Sequence, residues 1–399
     1  MEYAIPKYSL LIGYAKLIEG SIQITMIRWR KSMSDSEIKL MIPGPVSVSP
    51  EVLQAISQPV VPHYGDNFIH FYNETLDLLR KVFKTEQDMF LFVGSGTAGI
   101  DACVGSCLAS GEKIIVGSNG FFGDRLIWIA EGNGLEVIPI KVPLGSVLEA
   151  DQFQQAVNDH PDAKAILVVH LETSTTIINP IKEIAKIARD NDLLMIVDAV
   201  SSVGGIPFEF DGWGLDLAVT SINKCLGAPP GLAPVAISQR AWEVMDRKQG
   251  HHHGWYSDLR TWRKYATEWA DWHPTPVTMP VNNIAALNVA LKQLMDEGIE
   301  NRYRRYAKLA RKLRNGLSEI GMPPMTSDDQ LNPVLTAAYG PDGVNTSQIV
   351  KYLAIKHKII ISGGLGDLKE KTFRIGHMSP IVTEHDIDLI LNALGQFPN

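Results

Sequence analysis

Seven short apolar runs, separated by amphipathic stretches, dominate the hydrophobic pattern of this chain. Most runs are rich in β-branched residues and apolar throughout, which is typical of strands covered on both faces. An amphipathic stretch between two of them carries Ile181, Ile184 and Ile187 at helical spacing. This alternation predicts an α/β fold with a mostly parallel seven-stranded sheet covered by helices. The runs are residues 89–93, 113–116, 135–140, 165–169, 193–197, 217–220 and 233–237.

From about residue 280 onward the chain follows a different pattern. One long helix is predicted to begin near Pro280, and a second, basic helix follows Gly298. Beyond residue 320 the chain holds shorter apolar runs and a closing amphipathic helix. We therefore predict a large domain over 38–295 and a smaller α+β domain over 296–399.

Residues 1–37 form an N-terminal extension in this division. Their apolar stretch 8–14 is soon followed by Lys16 and Glu19, and it is shorter than the roughly 20 residues that span a bilayer. No clear small-residue cleavage site follows it, so a signal peptide is not favoured. We expect either a poorly ordered extension or translation that starts at Met33.

Composition narrows the class of function. The 399 residues are 45% hydrophobic and 20% charged, which is ordinary for a globular protein. The net charge of -7 gives no electrostatic reason to expect nucleic acid or a membrane as partner, so the basic helix is interpreted as a solvated face. Cys103, Cys107 and Cys225 are too few for a disulfide framework, which favours a cytoplasmic setting. They lack zinc-site spacing, and the adjacent histidines 251–253 seldom converge on one ion, so no metal is expected.

Polar residues stand at the ends of several predicted strands, where α/β sheets bind ligands. Lys224 follows one run and precedes a turn rich in glycine and proline. Asp198 closes the run before it, and a buried carboxylate there needs a cationic or hydrogen-bonding partner. A protonated pyridinium nitrogen is such a partner, and a lysine with an acidic partner is the usual arrangement around pyridoxal phosphate. Capping of a helix that follows Ser201 stays open as the alternative role of Asp198.

The segment GSGT, residues 94–97, follows another predicted strand and opens a helical stretch. Glycines let the backbone approach an anion, and the amino end of a helix supplies unpaired N–H groups. Ser95 and Thr97 add hydroxyl donors. The segment matches neither the dinucleotide fingerprint nor the P-loop, and it suits a single phosphate such as that of pyridoxal phosphate.

Four more residues follow strands or lie in the second domain, and three of them have two interpretations. Phe122 either stacks on an aromatic ring or belongs to the core. Thr173 is placed to donate to a ring hydroxyl, while its neighbour Glu172 is equally well structural or functional. Arg374 either forks onto a carboxylate in a partly buried site or forms a surface ion pair.

Eight segments of the chain occur in the order seen in class V aminotransferases. The chain resembles the alanine–glyoxylate and serine–glyoxylate branch of that family over about residues 38–399. The resemblance implies fold type I, the cofactor pyridoxal 5'-phosphate, and a homodimer whose active sites form between two subunits. The segments are MIPGPVSVSPEV, VGSGTAG, GSNGFFG, HLETST, IVDAVSSVGG, SINKCLGAPPG, SGGLG and FRIG.

The resemblance also implies roles for single residues around the cofactor. Lys224 matches the lysine that holds the cofactor as a Schiff base, and Asp198 matches the partner of the pyridinium nitrogen. Phe122 occupies the ring-stacking position, and Thr173 matches the residue on the side of the ring hydroxyl. The phosphate turn is matched by Ser95, Gly96 and Thr97.

Four further residues complete the site that the resemblance implies. Thr278 matches a residue that reaches the phosphate bound by the neighbouring subunit. Asn223 stands beside the Schiff-base lysine among the cofactor-binding residues. Arg374 matches the arginine that binds the substrate carboxylate, and Gly44 belongs to the same substrate-binding set.

The implied reaction moves an amino group from a small amino acid, alanine or serine, to a 2-oxo acid, glyoxylate or pyruvate. Asn223 departs from the glutamine usual in glyoxylate enzymes, and INKC is similar instead to 2-aminoethylphosphonate–pyruvate transaminases. That activity is the first alternative. A cysteine desulfurase-like lyase is the second, although residues 320–399 hold no cysteine for it. A binding module without activity is the third, and the intact Lys224, Asp198 and Arg374 argue against it.

Overall fold

The structure is a computed structural model that describes residues 38–248 and 254–398. The predicted extension 1–37 and the histidines 251–253 lie outside the described residues. From Lys39 onward the chain forms one unit.

Helices and strands alternate through most of the described chain. The helices are α1 (Pro50–Ile56), α2 (Asp66–Phe83), α3 (Gly96–Cys107), α4 (Phe121–Gly132), α5 (Ala150–Asp159), α6 (Ile181–Asp190), α7 (Phe210–Trp213), α8 (Gln239–Arg247), α9 (Leu259–Glu268), α10 (Val281–Glu297), α11 (Ile299–Glu319), α12 (Thr346–Tyr352) and α13 (Glu384–Gly395). The strands are β1 (Lys39–Leu40), β2 (Asp88–Val93), β3 (Lys113–Ser118), β4 (Glu136–Lys141), β5 (Ala165–Val169), β6 (Leu171–Glu172), β7 (Ile177–Ile178), β8 (Leu194–Asp198), β9 (Leu217–Val219), β10 (Leu232–Ile237), β11 (Leu335–Tyr339), β12 (Ile359–Ile360), β13 (Ser362–Gly363) and β14 (Thr372–Gly376).

The central sheet has seven strands in the order β2-β10-β9-β8-β5-β3-β4. β10 runs antiparallel to β2 and β9, and the other neighbours are parallel. Every residue of β5 and of β10 is buried, as expected for strands covered on both faces. The predicted α/β fold with a mostly parallel seven-stranded sheet is therefore confirmed.

The order of the strands reverses beside β3. β4 pairs with one side of β3 and β5 pairs with the other, so the connections from this region run in opposite directions along the sheet. Open α/β sheets bind ligands in the crevice that such a reversal leaves at the carboxyl ends of the strands. The loops that follow β3, β5 and β8 all meet at this edge.

Two hydrophobic cores support the molecule. The larger core surrounds the central sheet and includes residues from Val52 to Leu294. The smaller core lies around α11, α13 and the antiparallel sheet β11-β14-β13, and it also takes in Met41, Val46 and Cys225. Residues before 296 thus help to build the second core, and the predicted division into 38–295 and 296–399 stays a prediction.

The basic helix α11 is more than a solvated face. Arg302 and Arg314 are buried, at 2% and 5% relative exposure, and the expectation is wrong for these two residues. Arg302 pairs with Glu297 at 2.7 Å, and Arg314 pairs with Asp328 at 2.8 Å, because buried guanidinium groups need charge partners.

Within the described chain, no helix has the length and apolar character needed to cross a bilayer.

Candidate active site

A cavity of about 180 Å³ opens at the carboxyl ends of β2, β5, β8 and β9 and beside α4. Residues from the first half of the chain line it together with the turn that follows β9. Of the residues that the sequence predicted, it brings together Ser95, Gly96, Thr97, Phe122, Thr173, Asp198, Asn223 and Lys224. Gly44, Arg374 and Thr278 do not line this cavity. Gly44 packs against Lys224, and Arg374 donates to the carbonyl of Thr173, so these two contact residues that do line it.

Lys224 reaches the cavity past the backbone of Gly44. Its Nζ donates a hydrogen bond to the carbonyl of Pro43. A Cβ on Gly44 would come within 2.5 Å of the Lys224 side chain, and its φ of +98° also favours glycine. Burial lowers the pKa of Lys224 to about 8, so a larger fraction of its amine is neutral near physiological pH than for an exposed lysine.

Asp198 ends β8 next to Val169 of β5. Its Oδ1 accepts a hydrogen bond from the Val200 amide at 2.9 Å, and residues 200–206 form turns, so the interpretation as a helix cap is wrong. Burial raises the pKa of Asp198 to about 6, against the opposing charge of Lys224. A protonated ring nitrogen is the kind of partner that would offset this burial.

The turn before α3 presents backbone amides at the start of a helix. Ser95 caps the helix, and its Oγ accepts from the Ala98 amide at 3.3 Å. The remaining amides of the first turn lack acceptors within the helix and face the carboxyl end of the sheet. A Cβ on Gly96 would lie 2.4 Å from Val200 Cγ2, so glycine is required for this close packing. The hydroxyls of Ser95 and Thr97 add two donors, and with these amides they form a candidate anion cradle in the lining of the cavity.

Glu172 holds the start of α4 in place. The sequence left open whether this residue is structural or functional, and its contacts decide between the two. Its buried carboxylate accepts from the amides of Phe122, Gly123 and Ser174 at 3.1, 2.9 and 2.9 Å, and from the Ser174 hydroxyl. Burial raises the pKa of Glu172, and these hydrogen bonds oppose that rise. Glu172 is therefore structural, and it sets where Phe122 stands beside the cavity.

Replacing Glu172 with glutamine should destabilise the protein and weaken cofactor binding together. An amide directs N–H groups at some of the four donors, so we expect a loss of about 2–3 kcal/mol in the free energy of unfolding. Thermal unfolding and titration with pyridoxal phosphate measure the two effects. E183Q, which replaces an exposed carboxylate in the first turn of α6, is the matched control. It should change neither the stability nor the affinity for the cofactor. An E172Q protein as stable as the wild type would contradict the structural role.

Arg374 lies on the central strand of the small antiparallel sheet and reaches the large sheet. Its Nη1 donates to the Thr173 carbonyl at 3.0 Å, and its Nε donates to the Gly363 carbonyl at 2.9 Å. No carboxylate of the described residues forms an ion pair with this buried guanidinium, so the interpretation as a surface ion pair is wrong. Burial lowers the pKa of Arg374 to about 10, which leaves it charged at neutral pH and able to bind an anion with its remaining N–H groups.

The hydroxyl of Thr173 lies 3.0 Å from that of Ser201, and both line the cavity. Asn223 lines the cavity as well, and its Oδ1 accepts from the Ser221 hydroxyl. Thr278 is exposed in this chain, so its predicted contact with a neighbouring subunit stays a prediction. Cys225 is fully buried, and burial raises the pKa of its thiol to about 12, which disfavours a nucleophilic thiolate.

Sequence reasoning missed Arg125, Ser201 and Ser221, which also line the cavity. Arg125 stands three residues after Phe122, and this spacing on a helix places two side chains on the same face. That spacing was the available signal. Among the described residues, no cluster of three or more His, Cys, Asp or Glu side chains is arranged to hold a metal ion.

Comparison with known proteins points to one family. A family model described as aminotransferase class-V matches residues 51–389. An uncharacterized aminotransferase of Methanocaldococcus jannaschii is 40% identical, with 89% of this chain and 93% of the relative covered. The serine–glyoxylate aminotransferase of Methylorubrum extorquens is 30% identical, with 86% of each chain covered.

A solved structure shows the same fold. The alanine–glyoxylate aminotransferase from Nostoc sp. superposes with a TM-score of 0.86 at 33% identity, covering 90% of this chain and 94% of that one. Class V aminotransferases depend in general on pyridoxal phosphate, and the cavity described above has a lysine, a carboxylate and an anion cradle that fit this cofactor. The chain belongs to the class V aminotransferase family.

Proposed function

We propose that this enzyme moves the amino group of alanine or serine to glyoxylate or pyruvate, with pyridoxal phosphate bound at Lys224. The observation that carries the proposal is one cavity that is lined by Lys224, Asp198 and the turn at 95–97 before α3. The named relatives act on alanine or serine with glyoxylate, and they support these substrates.

When bound, pyridoxal phosphate supplies an electron sink for the carbanion at the substrate's Cα. Lys224 is the base in the cavity, and its lowered pKa suits it to accept a proton from Cα and to return one. Asp198 would keep the ring nitrogen protonated, because a buried carboxylate is stabilised by an adjacent positive charge. Phe122, at the start of α4, would stack on the ring.

Arg374 would bind the substrate carboxylate. Its bonds to the carbonyls of Thr173 and Gly363 fix the guanidinium plane, and a fixed plane forks onto a carboxylate without further loss of freedom. An anchored carboxylate also fixes the direction of the Cα–H bond relative to Lys224. Anchoring through the carboxylate would allow a donor with a small side chain to bind.

The test is a screen of amino donors with glyoxylate and pyruvate as acceptors. We expect turnover with alanine or serine, and we expect R374Q to raise the KM for either donor by roughly 100-fold through loss of a charge-assisted hydrogen bond. R311Q, an exposed arginine of α11, is the control and should leave KM unchanged.

Other outcomes of the screen would replace this proposal. Turnover with 2-aminoethylphosphonate and pyruvate alone would support the alternative that Asn223 suggests. Release of sulfide from cysteine would indicate a lyase, which the buried thiols of Cys103, Cys107 and Cys225 disfavour. Failure to bind pyridoxal phosphate would support a binding module.

We also propose that the enzyme acts as a homodimer. The exposed position of Thr278, away from the cavity of its own chain, supports a contact with the neighbouring subunit's site. We further propose that the large and small domains divide at 295/296 and that the enzyme works in the cytoplasm.

A further inference from the structure

Arg125 is a cation at the cavity that the proposed mechanism does not use. It is the fifth residue of α4, and it lines the same cavity as Lys224 and Asp198. Within 38–248 and 254–398 its guanidinium forms no ion pair with a carboxylate. A half-buried arginine beside a ligand cavity, without a carboxylate partner, is available to an anion that enters the cavity.

Aromatic rings hold this guanidinium in place. Its Cζ lies 4.7 Å from the centroid of the Phe122 ring and 5.2 Å from that of Phe121. Stacking on the rings takes the place of a charge partner and leaves the edge of the guanidinium, with its N–H groups, free to donate. Phe122 lines the cavity beside Arg125.

The free edge of Arg125 points toward the turn before α3. Its Nη1 lies 3.5 Å from the Thr97 hydroxyl, at the outer limit of a hydrogen bond. Arg374, the other arginine near the cavity, contacts Thr173 and Gly363 instead. The two arginines therefore serve different parts of the site, one beside the anion cradle and the other beside the proposed substrate carboxylate.

We propose that Arg125 binds the phosphate of the cofactor and supplies the positive charge that the turn at 95–97 lacks. This inference rests on the proposed function, because it assumes that pyridoxal phosphate occupies the cavity. The turn contributes amides and hydroxyls, which are neutral donors, whereas a phosphate ester carries close to two negative charges at neutral pH. A guanidinium matches two phosphate oxygens at once.

The experiment compares cofactors with and without the phosphate. We expect R125Q to weaken the affinity of the enzyme without cofactor for pyridoxal phosphate by roughly 10- to 100-fold, while its affinity for pyridoxal changes less than about twofold. Inorganic phosphate should compete with pyridoxal phosphate for the wild type and compete less well for R125Q. R125K keeps the positive charge but cannot bind two phosphate oxygens at once. Its affinity for pyridoxal phosphate should therefore lie between those of the wild type and R125Q. R304Q, an exposed arginine of α11, is the control and should behave as the wild type.

Each other outcome has a distinct meaning. Equal losses of affinity for pyridoxal phosphate and pyridoxal would show that Arg125 only positions Phe122, and would overturn the inference. Unchanged affinity with a raised KM for a donor that carries a second acidic group would place Arg125 at the substrate, and would also overturn it. A wild-type protein that binds neither cofactor would instead contradict the proposed function.

Discussion

K224A should lose turnover by roughly 10⁴-fold or more, at the upper end of what a general acid–base group contributes. The reason is that Lys224 is proposed both to attach the cofactor and to move the proton at Cα. The variant should also lack the absorbance band of lysine-bound cofactor. After treatment with borohydride, only the wild type should keep cofactor covalently attached. Retained turnover, or covalent attachment in K224A, would contradict the assignment of Lys224.

The pH dependence of cofactor attachment gives a second check on the same residue. Only a neutral amine attacks a carbonyl, so attachment should speed up as Lys224 loses its proton. Because burial lowers the pKa of Lys224 to about 8, the rate should rise with pH and show its midpoint near pH 8, well below that of an exposed lysine. Stopped-flow absorbance measures this profile.

A control is needed because K224A removes a charge as well as an amine. K113A removes a lysine from the start of β3, at the opposite edge of the sheet, where it pairs with the exposed Asp162. Exposed ion pairs contribute about 0–1 kcal/mol, so K113A should keep its activity and nearly all of its stability. K224A should not be less stable than the wild type, since it relieves the burial of an amine.

D198N should have the second largest effect, a loss of roughly 10³-fold in kcat. The carboxylate of Asp198 is proposed to keep the ring nitrogen protonated, and an amide cannot stabilise that charge. The absorbance of the bound cofactor should shift, because the ring loses its proton near neutral pH. Substrate KM should change little, since Arg374 is untouched. A kcat within tenfold of the wild type would rule out this role for Asp198.

Stability should move in the opposite direction in the enzyme without cofactor. The folded pKa of Asp198, about 6, lies above the unfolded value of roughly 3.9, so the folded state binds the proton more tightly. The wild type should therefore lose stability as pH rises from about 4 through 6, and D198N should not. Above pH 7, D198N should unfold at a higher temperature than the wild type, and this difference should vanish near pH 4.

A second buried aspartate separates this effect from simple damage to the fold. Asp216 accepts from the Met195 amide at 2.8 Å and pairs with Arg240 at 3.0 Å, away from the cavity. D216N should therefore lower the unfolding temperature and leave the cofactor's absorbance unchanged. D198N should instead shift the absorbance of the bound cofactor and, in the enzyme without cofactor above pH 7, raise the unfolding temperature. If D198N lowered the unfolding temperature and left the cofactor's absorbance unchanged, as D216N should, Asp198 would be only structural.

Local patterns explain how much of the molecule could be predicted. The apolar runs and their helical partners identified the strands of the central sheet, because the period of burial follows directly from local geometry. Candidate residues at the ends of those runs came together because parallel strands share one edge. The antiparallel direction of β10 was not predicted, since an apolar run has the same composition in either direction.

The amino-acid sequence by itself determined the order of strands and helices and the family. It also identified several residues that line the cavity, among them Lys224, Asp198 and the turn before α3. Only the tertiary structure decided the roles that depend on contacts between distant segments. Arg374 meets Thr173 across 201 positions, and Glu172 serves the start of α4 rather than the ligand. Such contacts depend on the order of strands in the sheet and on how the small sheet packs, and neither leaves a periodic signal along the chain.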